Sequence, residues 1–576
     1  MKGILYLMEN EIIITNIFWD RIYLHIQLEG QDLDSRQFAI ATNKNRYLYP
    51  LEFNSNSHSI TINITNIAHK EMLTNGIWYI KCFNPHFEEE MQQYEFEMEK
   101  YQIILNEDPD NVIEKPLIPL EWNNIPISLD VAYKLKDLDK IYRYGGSSYA
   151  YIVSLHPSKR RQQIICSIHT AYMMKNRDYK KRHFKVETKV FKKRMKKRII
   201  YFLEKTNNFI YTLVSHLTPK NGKRVLIMSE TRVPISGNLK VLDERLKERG
   251  LDKEFKISYF FKKTLEHKRW QIFFIWLRLV FLTAKQDFIF IDDFSPFFKY
   301  IKLNPKTKLI QVWHAGVGFK SVGYARFGEK GSPYPDDCPH RKYDYTIVGG
   351  NALKEVYAEA FGIDKENCLP FGLMRIDGYM DSSKIQNFKE TFYQQYPNFK
   401  NKKIILFAPT FRGTGQRSAH YPYKQLDLEQ IYQMCGEEYL FLVKMHPFIR
   451  KPIEIDPRFS DRIIDFSSYP DINELFYVTD ILITDYSSNI YEFSLQEKPI
   501  IFFAFDKFEY ELLRSVHRKL DEYAPGKVCL SFDEVIETIQ NKDFEMEKLH
   551  KFINENFDNS TTFASDKVID HILLKK

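Results

Sequence analysis

Four apolar segments in the later part of the chain are each followed directly by polar residues suited to phosphate chemistry. These residues are His314, Thr410, Arg412, Lys444, His446, Asp485, Ser487 and Ser488. Arginine can bind a phosphate through two parallel hydrogen bonds, and lysine binds it as a point charge. Serine hydroxyls at the start of a helix can hold phosphate oxygens. One such motif could be accidental, but four in succession indicate a site for a phosphorylated ligand.

Two of these residues, His314 and His446, are candidates for proton transfer. An imidazole with an ordinary pKa of about 6.5 can accept a proton from an attacking hydroxyl at neutral pH. The alternative for each is a histidine that only satisfies hydrogen bonds in the core. Because both follow strands at the edge of an expected cleft, we interpret them as functional. The sequence leaves open which of them is the base.

The two serines lie in the stretch 480–505, where two apolar strands flank Asp485, Ser487, Ser488 and a short helical segment. A strand that leads through hydroxyl residues into a helix presents free backbone N–H groups to an anion. The alternative is that the serines only cap the helix. The matching motifs elsewhere in the chain favour the anion site.

These motifs require a scaffold that brings the strand ends together. From about residue 223, apolar strands alternate with helical segments, and a second such series begins at residue 402. This alternation is typical of parallel sheets covered by helices on both faces. We therefore predict an α/β protein with two Rossmann-like doubly wound domains, residues 221–385 and 386–576. The ligand is expected in the cleft between them.

Residues 1–155 are expected to form an accessory domain of β structure. Runs of β-branched and aromatic residues alternate there with turns rich in Asn, Asp, Ser and Gly. Residues 127–133 and 148–154 are expected to be further strands. A small β-sandwich-like fold is the natural arrangement. No cluster of titratable residues suggests chemistry, so we interpret the region as an interaction domain.

Residues 156–220 are predicted to be a basic helical linker. Eleven Lys and Arg residues fall within 180–198 beside a single acid, Glu187, and apolar segments follow. Each cation near an anionic bilayer contributes about 1 kcal/mol, so an amphipathic membrane-associating helix is favoured. Nucleic acid is the rival partner and is disfavoured, because no binding motif accompanies the basic run. A solvated charged helix is the remaining alternative.

Composition and missing motifs weigh against several classes. Six scattered cysteines fit reduced thiols better than a disulfide framework or a zinc site. No secretory signal is visible, and the apolar run 272–284 is shorter than the roughly 20 residues of a spanning helix. The absence of GxxxxGK[ST] and GxGxxG loops disfavours NTPases and dinucleotide oxidoreductases. Asp292 and Asp293 are interpreted as structural, so neither a metal nor a cofactor is expected.

Taken together, the motifs resemble the CDP-glycerol/CDP-ribitol polyol phosphotransferases of teichoic acid synthesis, over about residues 222–570. In order they are QVWHAG at 311–316, APTFRG at 408–413, KMHP at 444–447 and TDYSS at 484–488, with further similarity at 323–326, 371–377 and 419–422. The N-terminal β region and basic linker also resemble the ribitol-phosphate polymerases. Many glycerol-specific members have WHGTP where this chain has WHAG, which favours CDP-ribitol over CDP-glycerol.

The resemblance implies a metal-independent enzyme with a GT-B-like pair of Rossmann domains, peripheral to the cytoplasmic face of the membrane. It would transfer a polyol phosphate from a CDP-activated donor to a hydroxyl of a lipid-linked teichoic acid acceptor, releasing CMP. His314 matches the general base of the family. The positions matching its CDP-polyol pocket are Arg375, Thr410, Arg412, Lys444, His446, Ser487, Ser488 and Glu492, to which we add Asp485 from the same motif.

Three alternatives remain open from the sequence. The first is a CDP-glycerol glycerophosphotransferase, the second is a nucleotide-sugar glycosyltransferase on the same fold, and the third is a non-catalytic scaffold at the membrane surface. The acceptor, the choice between single addition and polymerisation, and a homo-oligomeric state also stay open.

Overall fold

The computed structural model describes most of the chain, which divides into two compact units. The described residues are 12–42, 47–68, 72–73, 75–83, 96, 98–100, 122–143, 149–160, 163–174, 205–231, 233–263, 269–313, 321–327, 338–413, 418–514, 518–557 and 562–575. The first unit comprises Met1–Leu203, Gly323–Arg341 and Glu359–Asp364, and the second comprises Glu204–Val322, Lys342–Ala358 and Lys365–Lys576. The boundaries of the four predicted domains stay predictions, but the helical structure expected from residue 156 is wrong over two strands, Tyr149–Arg160 and Gln163–Met174.

The described strands of the first unit form two antiparallel sheets. In chain order they are β1 (Ile13–Asp20), β2 (Tyr23–Glu29), β3 (Gln37–Thr42), β4 (Leu48–Leu51), β5 (Phe53–Asn54), β6 (Ser59–Asn63), β7 (Gly76–Phe83), β8 (Asn123–Asn124), β9 (Lys140–Arg143), β10 (Tyr149–Arg160) and β11 (Gln163–Met174). One sheet has the order β1–β2–β6–β5, and the other β4–β3–β7–β11–β10–β9 with β8 beside β7. Alternate residues enter the core, as in β2, where Leu24, Ile26 and Leu28 are buried. This period of two is typical of strands with one packed face.

The expected strand at residues 127–133 is wrong, because the structure has a helix there, Leu129–Lys134. Ser128 is its N-cap, and the Ser128 hydroxyl oxygen accepts a hydrogen bond from the backbone N–H of Val131 at 3.3 Å. Ile127 makes only an isolated bridge to Ile14. The serine cap satisfies a free N–H group of the first turn and so outweighs the local strand propensity.

Two short segments from the middle of the chain belong to the first unit and complete its core. Tyr324 and Phe327 are buried in the same hydrophobic cluster as the two sheets. Gly323 has φ of 55°, and a Cβ there would lie 1.9 Å from the carbonyl oxygen of Ala360. Only glycine fits this position, because it needs both the left-handed backbone and the close approach.

The second unit contains two sheets of six parallel strands. Their strands are β12 (Arg224–Ser229), β13 (Lys256–Phe261), β14 (Phe288–Ile291), β15 (Lys308–Gln311), β16 (Tyr345–Ile347), β17 (Cys368–Leu369), β18 (Lys403–Phe407), β19 (Tyr439–Val443), β20 (Ile463–Asp465), β21 (Ile481–Thr484), β22 (Ile500–Phe503) and β23 (Lys527–Cys529). The orders are β13–β12–β14–β15–β16–β17 and β20–β19–β18–β21–β22–β23. The prediction of α/β structure with parallel sheets is confirmed.

Helices connect these strands and cover the sheets. The described helices of eight or more residues are Gly237–Glu248, Arg269–Ala284, Lys354–Phe361, Ser382–Gln395, Leu428–Cys435, Lys507–Arg514, Phe532–Asn541 and Met546–Asn556, together with helical residues 205–216. Shorter ones are Ile472–Phe476, Ile490–Ser494, Leu520–Tyr523 and Ala564–Val568, which continues as a π-helix over Ile569–Leu574. Helix Gly237–Glu248 buries Leu239, Leu242 and Leu246, the spacing of one helical face.

The strand order of the second sheet reverses between β18 and β21. Connections leave these two neighbouring strands in opposite directions along the sheet, so a crevice opens outside their carboxyl ends. The motifs at 408–413 and 484–488 follow β18 and β21 directly. The fold therefore brings them together at the position where a ligand-binding crevice is expected.

Among the described residues, none of the helices combines the length and the apolar character that crossing a membrane requires. The basic residues 180–198 lie outside the described part of the chain.

Candidate functional site

A pocket of about 280 Å³ lies at the carboxyl ends of β19, β18 and β21. Its lining includes five of the residues that the sequence predicted for a phosphate site, namely Thr410, Lys444, His446, Ser487 and Ser488. Pro470 and Ile472 add apolar surface on one side. The pocket thus combines a cation, an imidazole and hydroxyls with an apolar wall.

Lys444 is the only cation among the residues that line this pocket, and it is buried. Its Nζ donates one hydrogen bond, at 2.8 Å, to the backbone carbonyl oxygen of Ser467. Among the described residues, no carboxylate lies within ion-pair distance of this Nζ. Burial lowers the pKa of Lys444, and the charges of Asp465 and Asp471 only partly oppose that shift. A buried ammonium without a paired carboxylate is suited to an anionic ligand.

The ring of His446 is held in one orientation and one tautomer. Its Nδ1 accepts a hydrogen bond from the backbone N–H of Phe448 at 3.1 Å. The ring centroid lies 4.8 Å from that of Phe411 and 4.7 Å from that of Phe448. Since Nδ1 uses its lone pair, the neutral ring carries its proton on Nε2. In this tautomer Nε2 is a hydrogen-bond donor and cannot accept a proton.

Ser487 accepts a local hydrogen bond and also lines the pocket. Its hydroxyl oxygen accepts a hydrogen bond from the backbone N–H of Asn489 at 3.2 Å. The helix that follows, Ile490–Ser494, has only five residues. Ser488 is more exposed than Ser487 and lines the same pocket. Both serines therefore face the pocket, whereas the helix itself has Asn489 at its N-cap and no side-chain cap.

The structure places Arg412 outside this pocket and pairs its charge completely. Its Nη1 donates to the Asp485 carboxylate at 2.8 Å and to the carbonyl and hydroxyl oxygens of Thr410 at 2.9 and 3.1 Å. Its Nε and Nη2 both donate to Asp506, Nη2 at 2.9 Å. Four aromatic rings surround the guanidinium with centroids 5.2 to 5.8 Å away, namely Tyr421, Tyr486, Phe505 and Tyr510.

These contacts set the ionisation of Arg412 and the position of Asp485. Burial by itself would lower the pKa of Arg412, but the charges of Asp485 and Asp506 and their hydrogen bonds outweigh it and raise that pKa. Asp485 is fully buried, and it also accepts hydrogen bonds from the backbone N–H groups of Thr410 and Tyr486. Asp485 and Arg412 thus hold the strand ends that carry the pocket residues.

Arg375 and Glu492 form a buried ion pair between elements that follow different sheets. Arg375 lies on the 3₁₀-helix Met374–Tyr379, after β17, and Glu492 lies on the helix after β21. Glu492 is 1% exposed, and its second oxygen, Oε2, has no hydrogen-bond partner among the described residues. Neither residue is among those that line the pocket. The pair could therefore act on a ligand in the pocket only indirectly, through the residues that line it.

The sequence reasoning missed Asn238, which connects three segments. Its side-chain amide donates to the carbonyl oxygens of Val312 and Trp313 at 3.0 and 2.7 Å, and its side-chain oxygen accepts from the backbone N–H of Arg375 at 2.8 Å. Trp313 has φ of 47° and directly precedes His314. His314 itself lies outside the described residues. The sequence signal that could have identified Asn238 is the Gly–Asn pair at the start of the helix after β12.

A second group missed from the sequence lines another pocket, of about 320 Å³. It contains His420, Gln425 and Glu509 beside Arg412 and Asp506. No metal-binding group of three or more His, Cys, Asp or Glu side chains occurs in the described parts of the chain.

Comparisons with known proteins show which family the chain resembles. The family described as CDP-Glycerol:Poly(glycerophosphate) glycerophosphotransferase matches residues 210–574. The chain is 37% identical over 375 residues to the teichoic acid poly(ribitol-phosphate) polymerase of Bacillus spizizenii, covering 65% of this chain and 60% of that protein. It is 29% identical over 580 residues to the teichoic acid ribitol-phosphate polymerase TarL of Staphylococcus aureus, covering 98% of this chain and 100% of that protein.

One solved structure extends the comparison to the fold. A structure of the wall teichoic acid polymerase TagF aligns with a TM-score of 0.51 at 21% identity, covering 68% of this chain and 100% of that chain. At this identity the alignment shows a shared fold.

Proposed function

The chain belongs to the CDP-glycerol:poly(glycerophosphate) glycerophosphotransferase family, and on that premise we propose that it is a teichoic-acid-type polyol phosphotransferase. It transfers ribitol phosphate from CDP-ribitol to a hydroxyl of a lipid-linked acceptor or of a growing polyol phosphate chain, and it releases CMP. The relatives named as ribitol-phosphate polymerases support this assignment.

The observation that carries the proposal is the environment of Lys444. Among the described residues, no carboxylate lies within ion-pair distance of this buried ammonium, and burying an unpaired charge costs free energy. A diphosphate in the adjoining pocket supplies the missing negative charge and so recovers that cost. The serine hydroxyls and His446 then complete a ring of hydrogen-bond donors around the phosphate oxygens.

The proposed reaction is an in-line phosphoryl transfer. The oxygen of an acceptor hydroxyl bonds to the distal phosphorus of the donor, the bond from that phosphorus to the bridging oxygen breaks, and CMP leaves with the electron pair. The proton of the hydroxyl passes to a base. His314 is the proposed base, because it matches the family motif and His446 has no free lone pair for that role.

The other residues of the pocket act on the leaving group. Lys444 and the Nε2–H of His446 stabilise the negative charge that develops on the bridging oxygen and on CMP. Arg412 and Asp485 act through the backbone of Thr410, so they are positioning residues.

The test compares donors with one lipid-linked acceptor. The protein is incubated with CDP-ribitol, CDP-glycerol or UDP-sugars, and the released nucleotide is measured. CMP release with CDP-ribitol is the expected result. Release with CDP-glycerol alone would move the assignment to the glycerol branch, release of UDP would indicate a glycosyltransferase, and no release with any donor would favour a non-catalytic scaffold.

The two parallel sheets support a GT-B-like arrangement. In it, residues 221–385 form the acceptor-side domain, and residues 386–576 bind the CDP-polyol. The buried pair of Arg375 and Glu492 joins elements of both halves. We assign the β strands of the first unit to a small β-sandwich-like accessory domain, which β10 and β11 carry beyond the expected boundary at residue 155.

The protein is also proposed to lie at the cytoplasmic face of the membrane as a peripheral protein. Next to the basic run 180–198, helical residues 205–216 expose Phe209 and Leu213, and the following Leu217 is 76% exposed. The spacing of four residues places these side chains on one face, which suits the apolar side of a bilayer interface. Replacing all three with Ser should move the protein into the soluble fraction. Unchanged sedimentation with membranes would contradict this part of the proposal.

A further inference from the structure

The second pocket lies beside the first along the same sheet edge. It is lined by residues that follow β18 and β22, among them His420, Gln425, Asp506 and Glu509. Arg412 also lines it and hydrogen-bonds to Thr410, which lines the first pocket. The two pockets are therefore neighbours along this edge.

The charges of the described residues around the second pocket disfavour phosphate. The single Arg412 charge is matched by two carboxylates, those of Asp485 and Asp506. Glu509 adds an exposed carboxylate, which has no ion-pair partner among the described residues. A pocket with excess negative charge repels phosphate but accepts hydrogen bonds from neutral hydroxyl groups.

His420 has the opposite tautomer to His446. Its Nδ1 lies 3.0 Å from the backbone carbonyl oxygen of Ser418, and it must donate to that oxygen. The neutral ring therefore keeps a lone pair on Nε2. Two backbone hydrogen bonds with Arg412, at 2.8 and 3.1 Å, fix the position of the residue. Nε2 of His420 is thus a fixed acceptor for a hydroxyl hydrogen.

The remaining wall of the pocket is apolar and aromatic. Phe505, Tyr510 and Pro422 line it, and the ring of Tyr510 is stacked on Tyr486 at 3.7 Å. Rigid rings beside hydroxyl acceptors suit a carbon chain with hydroxyl groups on one side.

We propose that this second pocket binds the polyol part of the substrate, a neutral carbon chain with adjacent hydroxyls. His420, Asp506, Glu509 and the Gln425 amide contact the hydroxyls, and the aromatic wall packs against the carbons. The inference rests on the proposed function, since it names the part of the substrate that lies beyond the diphosphate. The polyol can come from the donor or from the terminal unit of the acceptor chain, because both carry the same chemistry.

The test uses the full-length protein and measures binding by titration calorimetry with two ligands, CMP and CDP-ribitol. The variants are Glu509→Gln and the double variant His420→Phe with Glu509→Gln. Glu547→Gln, an exposed glutamate on helix Met546–Asn556, is the matched control. Thermal unfolding of every variant checks that the fold is kept, and the KM for the lipid-linked acceptor is measured as well.

The two sources of the polyol give different results. If the donor polyol occupies the pocket, the affinity for CDP-ribitol falls about tenfold in the double variant, the loss expected for one or two hydrogen bonds. The affinity for CMP stays unchanged, because CMP lacks the polyol. If the acceptor unit occupies the pocket, only the acceptor KM rises by a similar factor.

Two results would overturn the inference while the proposed function stands. One is normal CMP binding together with unchanged CDP-ribitol affinity and unchanged acceptor KM in both variants. The other is an equal loss of CMP and CDP-ribitol affinity, since that would place the effect on the diphosphate site. If the protein without substitutions does not bind CMP, the proposed function is overturned, and the inference with it.

Discussion

Lys444 and Arg412 are two buried cations that follow neighbouring strands of one sheet, yet their surroundings are opposite. Lys444 lacks a carboxylate partner among the described residues and donates to a single carbonyl. Arg412 is held by two carboxylates and by Thr410. From the sequence, both had been expected to bind the diphosphate. In the structure, Lys444 lines the first pocket and Arg412 lines the second.

The difference shows that the position of a cation at a strand end does not decide its role. A guanidinium whose donors are already used gains little from a ligand phosphate, whereas an unpaired ammonium gains a full charge-assisted interaction. Arg412 therefore contributes mainly to the free energy of folding, and Lys444 to the free energy of ligand binding. The following changes test that contrast.

The largest effect is expected for Arg412→Met, measured as the free energy of unfolding in urea. Removing the guanidinium leaves the fully buried Asp485 and the nearby Asp506 without their counter-charge. Removing one partner of a buried ion pair costs about 3–5 kcal/mol of stability. We expect a loss of that size.

Arg245→Met is the control, because Arg245 also pairs with an aspartate, Asp566, at a more exposed position. Its loss should be about 1 kcal/mol. Equal losses of unfolding free energy in the two variants would contradict a structural role for the ion pairs of Arg412.

Lys444→Met should reduce CMP release by about 100-fold, corresponding to one charge-assisted interaction of about 2.7 kcal/mol. The free energy of unfolding should change little, because methionine fills the same space without a charge to bury. Lys498→Met is the matched control. Lys498 is a half-buried lysine that also donates to a carbonyl, that of Thr479, but it pairs with Asp480. If CMP release fell to the same extent in the Lys498 control, the assigned role of Lys444 would be ruled out.

The affinity for CMP should begin to fall at a pH below the usual lysine pKa, because burial lowers the pKa of Lys444. The neutral amine cannot pair with a phosphate, so the affinity can fall by up to about tenfold per pH unit. Between the folded and the unfolded pKa, the unfolded chain binds more protons. The free energy of unfolding therefore rises with pH over the same range.

Lys444→Arg is the control for this pH dependence, since arginine keeps its charge. Its CMP affinity should stay constant from pH 8 to pH 10 as judged by titration at fixed ionic strength. A fall of the same size in this variant would mean that another group titrates.

His446→Gln is expected to have the smallest effect, a loss in kcat of less than about tenfold. The amide N–H of glutamine can replace the Nε2–H donor, and the pH–rate profile should keep its acidic limb. Loss of that limb would show that His446 is the base, in conflict with the tautomer fixed by Phe448.

Much of the fold could be read from local sequence patterns. Alternating apolar strands and helices predicted the parallel sheets, and the structure confirms them. Because parallel strands end at one edge, the same patterns also predicted which motifs meet there, and five of the expected residues line one pocket. The helix Leu129–Lys134 was missed because a single serine cap outweighed strand propensity.

The sequence alone thus determined which residue types stand at the carboxyl edge, since strand direction and spacing are local properties of the chain. Only the tertiary structure decided which charges remain unpaired. Asp485 and Asp506 lie 73 and 94 residues from Arg412, and Glu492 lies 117 residues from Arg375. Ion pairs and tautomers depend on such distant partners, whose approach follows from the order of the strands in the sheet. Among the described residues, that order brings no carboxylate within ion-pair distance of Lys444, although the charges of Asp465 and Asp471 act on it from further away.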